Sequence, residues 1–65
     1  MNKYLYLLVI QGLYGYGYGW EDLSAYDQTE YKEARADLRE YRLAEPYASH
    51  RLINRREPNP DYQAV

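Results

Sequence analysis

The sequence predicts a small α+β domain with the element order ββαβ, a three-stranded antiparallel sheet with one helix packed on one face. The chain has 65 residues, which suffices for one small core. An apolar run fills residues 3–11, a helix-start pattern opens a segment with helical periodicity over 27–44, and a shorter apolar segment lies within 47–56. We therefore expect a single domain over 1–57 and an extended or disordered tail over 58–65.

The composition excludes several classes of function. There is no cysteine and only one histidine, so disulfides, thiolate metal sites and multi-histidine sites are excluded within one chain. The net charge of −2 fits neither a general polyanion binder nor a strongly acidic DNA mimic. His50 has no nearby carboxylate in the sequence, and Ser24 and Ser49 have no nucleophile context, so His50 is expected at the surface or in an interface. We expect no enzymatic activity, no cofactor and no metal.

The first predicted strand is the unbroken run of leucine, β-branched and aromatic residues over 3–11. Such a run fits a central strand covered on both faces, or one covered on one face with tyrosine rings on the other. It is too short to cross a bilayer and no cleavage site follows, so we expect neither a membrane span nor a signal peptide. Two alternating sets are candidates for the face under the helix: Leu5, Leu7 and Val9, or Tyr6, Leu8 and Ile10.

Alternating aromatic residues and glycines then interrupt the strand pattern. Residues 12–19 are expected to form a wide or bulged hairpin loop, and residues 20–25 a returning strand. Tyrosine and tryptophan supply rigid contact area, and glycine lets a backbone approach a partner, a mixture typical of binding surfaces. The alternative is a structural hairpin whose tyrosines fold back onto the core. The candidate binding residues here are Tyr14, Tyr16, Tyr18, Trp20, Glu21 and Asp22.

The predicted helix spans about 28–44 and separates its charges. Asp27 and Glu30 have the spacing of a capping box with Asp27 as N-cap, and Pro46 ends the helix. The apolar stripe that is expected to pack on the sheet is Tyr31, Ala34, Leu38 and Tyr41. An acidic and a basic stripe flank it, although interleaved charges would stabilise the helix better. The alternative is a solvated helix whose charge order is accidental. The basic stripe is Lys32, Arg35, Arg39 and Arg42.

A final strand of about seven residues is predicted within 47–56, and its register is open. Leu52 and Ile53 are adjacent and must point to opposite faces. If Ile53 faces the core, Arg51 and Arg55 lie on the same face of the strand. If Leu52 faces the core, the residues on its face are His50, Asn54 and Arg56. Either the arginines of this strand hold a phosphate beside a stacked base, or they are solvated residues of an edge strand. These candidate residues are Arg51, Arg55 and Arg56.

Three segments of the chain resemble a group of short bacteriophage open reading frames. The group shares a Gln-Gly-x-Tyr-Gly-Tyr-Gly-Trp-Glu-Asp pattern, an Ala/Arg-rich helix and a basic final strand. The corresponding segments here are Gln11 to Leu23, Glu33 to Arg42 and Arg51 to Arg56, so the likeness covers most of residues 4–56. This chain departs from the pattern by one extra Tyr-Gly step. The resemblance implies a phage accessory protein in the cytoplasm of its bacterial host, and no particular chemistry.

Two functions and one assembly state are therefore expected. The first function is a non-enzymatic phage accessory protein that binds and blocks a host protein, such as a defence component, through the aromatic-glycine loop. The alternative is a nucleotide or nucleic-acid binding module, for example a sponge for a signalling nucleotide, with tyrosines that stack on bases. One helix cannot cover both faces of the sheet, so we also expect a homodimer that buries the other face. No membrane partner is expected.

Overall fold

The computed structural model describes residues 3–15 and 19–62. The central strand β1 pairs antiparallel with both of its neighbours, so the strand order is β2-β1-β3. The α+β prediction, with a three-stranded antiparallel sheet and one helix in the order ββαβ, is confirmed. The elements are β1 (Tyr4–Leu13), β2 (Trp20–Asp27), α1 (Tyr31–Ala44) and β3 (Ser49–Pro58).

The core lies between α1 and one face of the sheet. Leu8 and Ile10 of β1 are buried there, and Ile10 is 0% exposed. Of the two candidate sets in β1, the one with Tyr6, Leu8 and Ile10 therefore faces the helix. Ala34 and Leu38 are the buried residues of α1, which confirms the centre of the predicted apolar stripe.

The helix begins at Tyr31, so the prediction of a start near residue 28 with Asp27 as N-cap is wrong. Asp27 is still paired with Leu7 in the sheet, and its backbone is extended. One of the two bonds of a capping box nevertheless forms, since the Glu30 carboxylate accepts the Asp27 N–H at 3.0 Å. The Asp27 carboxylate instead accepts the Thr29 N–H at 2.9 Å, and the Glu30 N–H donates to the Asp27 backbone carbonyl. They hold the turn that leads from the strand into the helix.

A β-bulge in the first hairpin changes the direction of one acidic side chain. Ile10 pairs with Ser24, but the next residue, Gln11, pairs with Asp22, so Leu23 is left unpaired. Simple alternation from Ser24 would place Asp22 on the helix side of the sheet. The extra residue turns Asp22 to the helix-free face instead, as bulges commonly do.

The open register of the last strand is resolved by its pairing with β1. Leu52 pairs with Ile10 and lies on the helix side, together with His50. Ile53 pairs with Val9 and lies on the helix-free face, together with Arg51 and Arg55. The strand is longer than predicted because the antiparallel pairing continues from the Leu13 end of β1 to its Tyr4 end.

Beyond β3 the chain makes a turn against the start of β1. The Asn59 N–H donates to the Lys3 carbonyl at 3.0 Å, and the Tyr62 N–H donates to the Asn59 carbonyl at 3.0 Å. The first of these bonds continues the ladder between β1 and β3 by one more pair of residues. The alternation of this ladder determines which backbone groups of β3 point outward.

Candidate functional site

Five side chains form a continuous row across the helix-free face of the sheet. The Arg51 guanidinium lies 4.0 Å from the centre of the Trp20 ring and donates from Nε to Gln11 Oε1 at 2.8 Å. Gln11 Nε2 donates to Asp22 Oδ1 at 2.9 Å, and Asp22 accepts two bonds from Arg55 at 2.5 and 3.0 Å. We call this set the open-face row: Trp20, Arg51, Gln11, Asp22 and Arg55.

Gln11 is the centre of the open-face row. It lies in the central strand and is paired with Arg51 on one side and with Asp22 on the other, the latter because of the bulge. Its side chain is 6% exposed, so both ends of its amide require partners, and both have one. The amide therefore fixes the positions of an arginine and an aspartate on opposite strands.

The charges at the Asp22 end of the row stabilise each other. Hydrogen bonds from Arg55 and then from Gln11 lower the pKa of the Asp22 carboxyl from 3.8 to about 2. The same bond to Asp22 raises the pKa of Arg55. The side chains are 52% and 30% exposed, so solvent screens the ion pair and its contribution to stability is small. Its main effect is to hold two charges in fixed positions.

The pKa of Asp22 leads to a prediction for acid unfolding. Because the pKa is about 2 in the folded protein and 3.8 ordinarily, the stabilisation is complete above about pH 5 and is lost as the pH falls through 3.8 towards 2. We expect urea denaturation across this range to give a shallower loss of stability for Asp22→Asn than for the parent. Asp61→Asn, which changes an exposed carboxylate outside the row, is the control. Equal slopes for Asp22→Asn and the parent would contradict the prediction.

The candidate residues from the sequence are divided between the two faces. Glu21 pairs with Gly12 and is exposed on the helix side. Arg56 lies on the same side, 4.2 Å from the centre of the Tyr4 ring. The three candidate arginines of β3 therefore do not form one cluster. The candidates that the structure brings together in the open-face row are Trp20, Asp22, Arg51 and Arg55.

Gln11 is the member of the row that the sequence reasoning did not select. The sequence does contain a signal for this role of Gln11, which is its position as the polar residue that ends the apolar run of the first strand. A glutamine in a central strand needs partners for both ends of its amide. This requirement points to polar neighbours on both adjacent strands, and therefore to a polar row.

The described residues of the Tyr-Gly run, which are Tyr14, Gly15 and Gly19, lie between β1 and β2. Gly15 and Gly19 have φ values of 79° and 88°, which are strained for a residue with a side chain, so the glycines at these two points have a backbone role. Tyr16 and Tyr18, which were candidate binding residues, lie outside the described residues. Tyr14 folds back towards the end of the helix, as in the structural alternative for this loop.

Tyr14 belongs to a cluster at the C-terminal end of α1. Its hydroxyl donates to Glu45 Oε1 at 2.7 Å, and the same oxygen lies 3.0 Å from His50 Nε2. The imidazole stacks on Tyr41 with 5.8 Å between ring centres and contacts Tyr14 edge-on at 6.1 Å. Hydrogen bonds from Tyr14 and then His50 lower the pKa of Glu45. We call these four residues the His50 cluster: Tyr14, Tyr41, Glu45 and His50.

His50 is buried, so its predicted place at the surface or in an interface is wrong. Its side chain is 0% exposed, and its carboxylate partner is Glu45, five residues earlier in the chain. Within the described part of the chain, Nδ1 has no hydrogen-bond partner, and no bond joins the imidazole to Ser24, whose hydroxyl lies 3.0 Å from the Tyr41 hydroxyl. A ring enclosed in this way cannot contact a substrate.

Residues 3–15 and 19–62 contain neither a metal site nor a membrane-spanning helix. No group of three acidic or histidine residues there could hold a metal ion. No helix in these ranges is long and apolar enough to cross a membrane. Comparison of the chain with protein-family models, curated proteins and solved structures gave no match. The fold and the open-face row define a small cysteine-free α+β protein with an ordered polar row on an uncovered sheet face.

Proposed function

We propose that this chain is a non-enzymatic binding protein that recognises a partner protein through the helix-free face of its sheet. The open-face row supports this proposal most directly. Tryptophan and arginine are the residues most enriched among interface hot spots, and here Trp20 and Arg51 are stacked on each other. Hydrogen bonds already order the row without a partner, which lowers the entropic cost of binding.

An apolar depression lies beside the row on the same face. It has a volume of about 300 Å³, and the half-buried Leu7 and Leu23 are among the residues that line it, together with Asp22 and Arg55. Leu5, nearer the end of β1, is 39% exposed. The face therefore offers an apolar contact next to directed polar groups, which is the usual composition of a protein interface.

The hydrogen-bond partners and the positions of the three candidate arginines favour a protein partner over a nucleotide. Arg55 is paired with Asp22, Arg51 is bonded to Gln11, and Arg56 lies on the other face. A phosphate is bound by arginine N–H groups that are free to donate, whereas both terminal nitrogens of Arg55 already donate to Asp22 and Nε of Arg51 donates to Gln11. Recovery of a nucleotide or nucleic acid in a pull-down would support the alternative function.

The proposed biological setting follows from the sequence resemblance. The chain would be a phage accessory protein that acts in the cytoplasm of its bacterial host by occupying a functional surface of a host protein, such as a defence component. The enclosed His50 ring supports binding without catalysis, because no nucleophile is bonded to it among the described residues.

A second copy of the chain is the alternative occupant of the helix-free face. The homodimer was expected because β1 is apolar on both sides. Val9 on this face is, however, already 1% exposed without a second copy, and Gln11 beside it is bonded to both neighbouring strands. A second copy would therefore add burial to the central strand only at its Leu5 and Leu7 end, so the apolar argument for a homodimer is weaker than expected and we rank a different protein first. Sedimentation at several concentrations distinguishes the two occupants.

The test is a pull-down from bacterial host lysate with the tagged chain, read by mass spectrometry for proteins and small molecules. We expect one or a few host proteins to be recovered by the parent. Trp20→Ala should weaken the binding of a recovered partner by at least about 2 kcal/mol, or roughly thirtyfold, as for a hot-spot residue. Tyr47→Ala removes an aromatic ring that is 77% exposed at the end of the helix and is the matched control.

Three outcomes would count against the proposal. Recovery of every partner by Trp20→Ala would show that the row is not the binding surface. Recovery of a nucleotide or nucleic acid, with steep loss on added salt and on replacement of Arg51, would favour the alternative. A concentration-dependent dimer that is abolished by Trp20→Ala would assign the face to self-association.

A further inference from the structure

A groove separates α1 from the outer strand β3, on the opposite side of the sheet from the open-face row. Its volume is about 410 Å³. Its floor contains the buried Leu8 and Leu38, and its walls retain accessible apolar surface, since Tyr31 is 51% exposed and Leu52 is half-buried. The groove thus runs beside a sheet edge, and its lining is mostly polar, with apolar contacts at Tyr31 and Leu52.

Among the described residues, the edge of β3 beside the groove presents backbone groups that are not bonded to β1. In an antiparallel pair, every second residue of a strand bonds to its neighbour with both its N–H and its C=O. Because the Asn59 N–H donates to the Lys3 carbonyl, the odd-numbered residues of β3 are the ones that bond to β1. The N–H and C=O groups of Leu52 and Asn54 therefore point away from β1. The bond from Arg42 to the His50 carbonyl, at 3.2 Å, agrees with this alternation.

The helix wall of the groove is positively charged. Arg35 and Arg42 both line the groove, and Lys32 and Arg39 continue the basic stripe on the same flank of α1. Arg35 donates to the Tyr31 hydroxyl at 3.0 Å. None of these four cations lies within 4 Å of a carboxylate in the described ranges, where the ion pairs are those of His50 with Glu45 and Arg55 with Asp22. The net charge of the chain is −2, so this positive surface is a local feature.

We infer that the groove between α1 and β3 binds an extended, acidic segment of another protein, which adds to β3 as a fourth strand. An added strand bonds to the outward groups of Leu52 and Asn54. Its alternate side chains then enter the groove against Tyr31 and Leu52, while its carboxylates pair with Arg35 and Arg42. The charge segregation of the helix, which does not favour its own stability, acquires a purpose in this arrangement.

The charge of the groove selects an acidic occupant over a second copy of the chain. A second β3 edge, paired about a two-fold axis, would bring two basic stripes together, and like charges across an interface are unfavourable. Nucleic acid would satisfy the arginines and could accept from outward N–H groups, but it has no backbone that pairs with both the N–H and the C=O groups of β3 as a strand does. An extended acidic peptide uses both features.

The experiment measures binding of short fluorescent peptides by anisotropy. The probes alternate glutamate with valine, leucine or tyrosine, and the control peptides carry lysine in place of glutamate. We expect at least one acidic probe to bind and the lysine peptides not to bind. Bound peptide should protect the backbone amides of Leu52 and Asn54 from hydrogen exchange in the full chain.

Two variants separate the contributions of charge and backbone. Arg35→Gln should weaken acidic-peptide binding about tenfold, because it removes a charge-assisted bond. Arg39→Gln, a change of the same kind on the same flank but outside the groove lining, should change binding less than about threefold. Asn54→Pro removes an outward N–H and leaves the ladder with β1 in place, since proline is tolerated at the open side of an edge strand. It should abolish binding.

Four results would overturn the inference. The first is that no acidic probe binds at millimolar concentration, and the second is that Arg35→Gln and Arg39→Gln weaken binding equally. The third is that a folded Asn54→Pro variant still binds the peptide. The fourth is that a single-stranded oligonucleotide binds more tightly than the peptides and that Asn54→Pro does not change its binding.

Arg51, which stacks on Trp20, also lines the groove, so the control on the other face is Asp22→Asn. It should not affect peptide binding, because Asp22 and its partner Arg55 lie outside the groove lining. Failure of this inference is thereby distinct from failure of the proposed function.

Discussion

Leu38→Ala should lower the free energy of unfolding by about 2–5 kcal/mol, as is usual when a buried leucine is truncated. Leu38 is 6% exposed and lies at the centre of the helix face that packs on the sheet. A cysteine-free core of this size rarely supplies more than about 3–5 kcal/mol in total. We therefore expect the variant to be largely unfolded at 37 °C, as measured by circular dichroism and urea denaturation.

Leu43→Ala is the matched control for Leu38→Ala. It makes the same chemical change in the same helix, but Leu43 is 70% exposed. The change in helix propensity has the same sign at both positions and is a few tenths of a kcal/mol at most, so the difference between the two variants reports mainly packing. We expect Leu43→Ala to change the free energy of unfolding by less than about 0.5 kcal/mol. Equal losses of stability for the two variants would show that the helix does not pack through the stripe that contains Leu38.

The parts of the fold that were predicted from the sequence are those encoded by local spacing. The unbroken apolar run of β1 indicated a central strand, and it is paired on both sides. The spacing of Ala34 and Leu38 identified the buried stripe of the helix. In both cases the signal is a periodicity within one element, which does not depend on how distant segments meet.

The composition of the open-face row depends on pairing between strands, so the sequence alone did not predict it. The bulge at Leu23 places Asp22 on the face of Gln11, and no local rule identifies the residue that will be left unpaired. Leu52 and Ile53 were equally suited to the core, and only the pairing of β3 with β1 selects Leu52. A shift of one residue in either strand would disperse the row.

The His50 cluster illustrates a second reason for the failure of local reasoning. Glu45 reaches His50 because the chain turns back after the helix, and the Ala48 N–H donates to the Glu45 carbonyl at 3.1 Å in this turn. Tyr14 arrives from the first hairpin, 31 residues from Glu45. A carboxylate that is nearby in space was thus not recognised from the sequence, and Tyr14, a candidate binding residue, lies in the structure beside a buried histidine.

Gly12→Ala should lower the free energy of unfolding by about 1–3 kcal/mol, as for an overpacked site. A Cβ at this position would lie 2.7–2.9 Å from three atoms at the end of the Tyr14 side chain. The ring cannot move away without losing its bond to Glu45 and its edge contact with His50. The φ angle of Gly12 is not in the left-handed region, so the penalty should come from the ring alone. Urea denaturation measures the loss.

The double variant with Tyr14→Ala isolates this cause. Once the ring is removed, the three atoms nearest to the added methyl group are gone, and alanine is favoured over glycine in a strand by about 0.5–1 kcal/mol. Gly12→Ala should therefore be neutral or stabilising in the Tyr14→Ala background, although it destabilises the parent. The resulting coupling energy between the two positions should be about 1–3 kcal/mol, as for residues in direct contact. An equal loss of stability in both backgrounds would mean that Gly12 is needed for its backbone, and that the Tyr14 ring is not held over it.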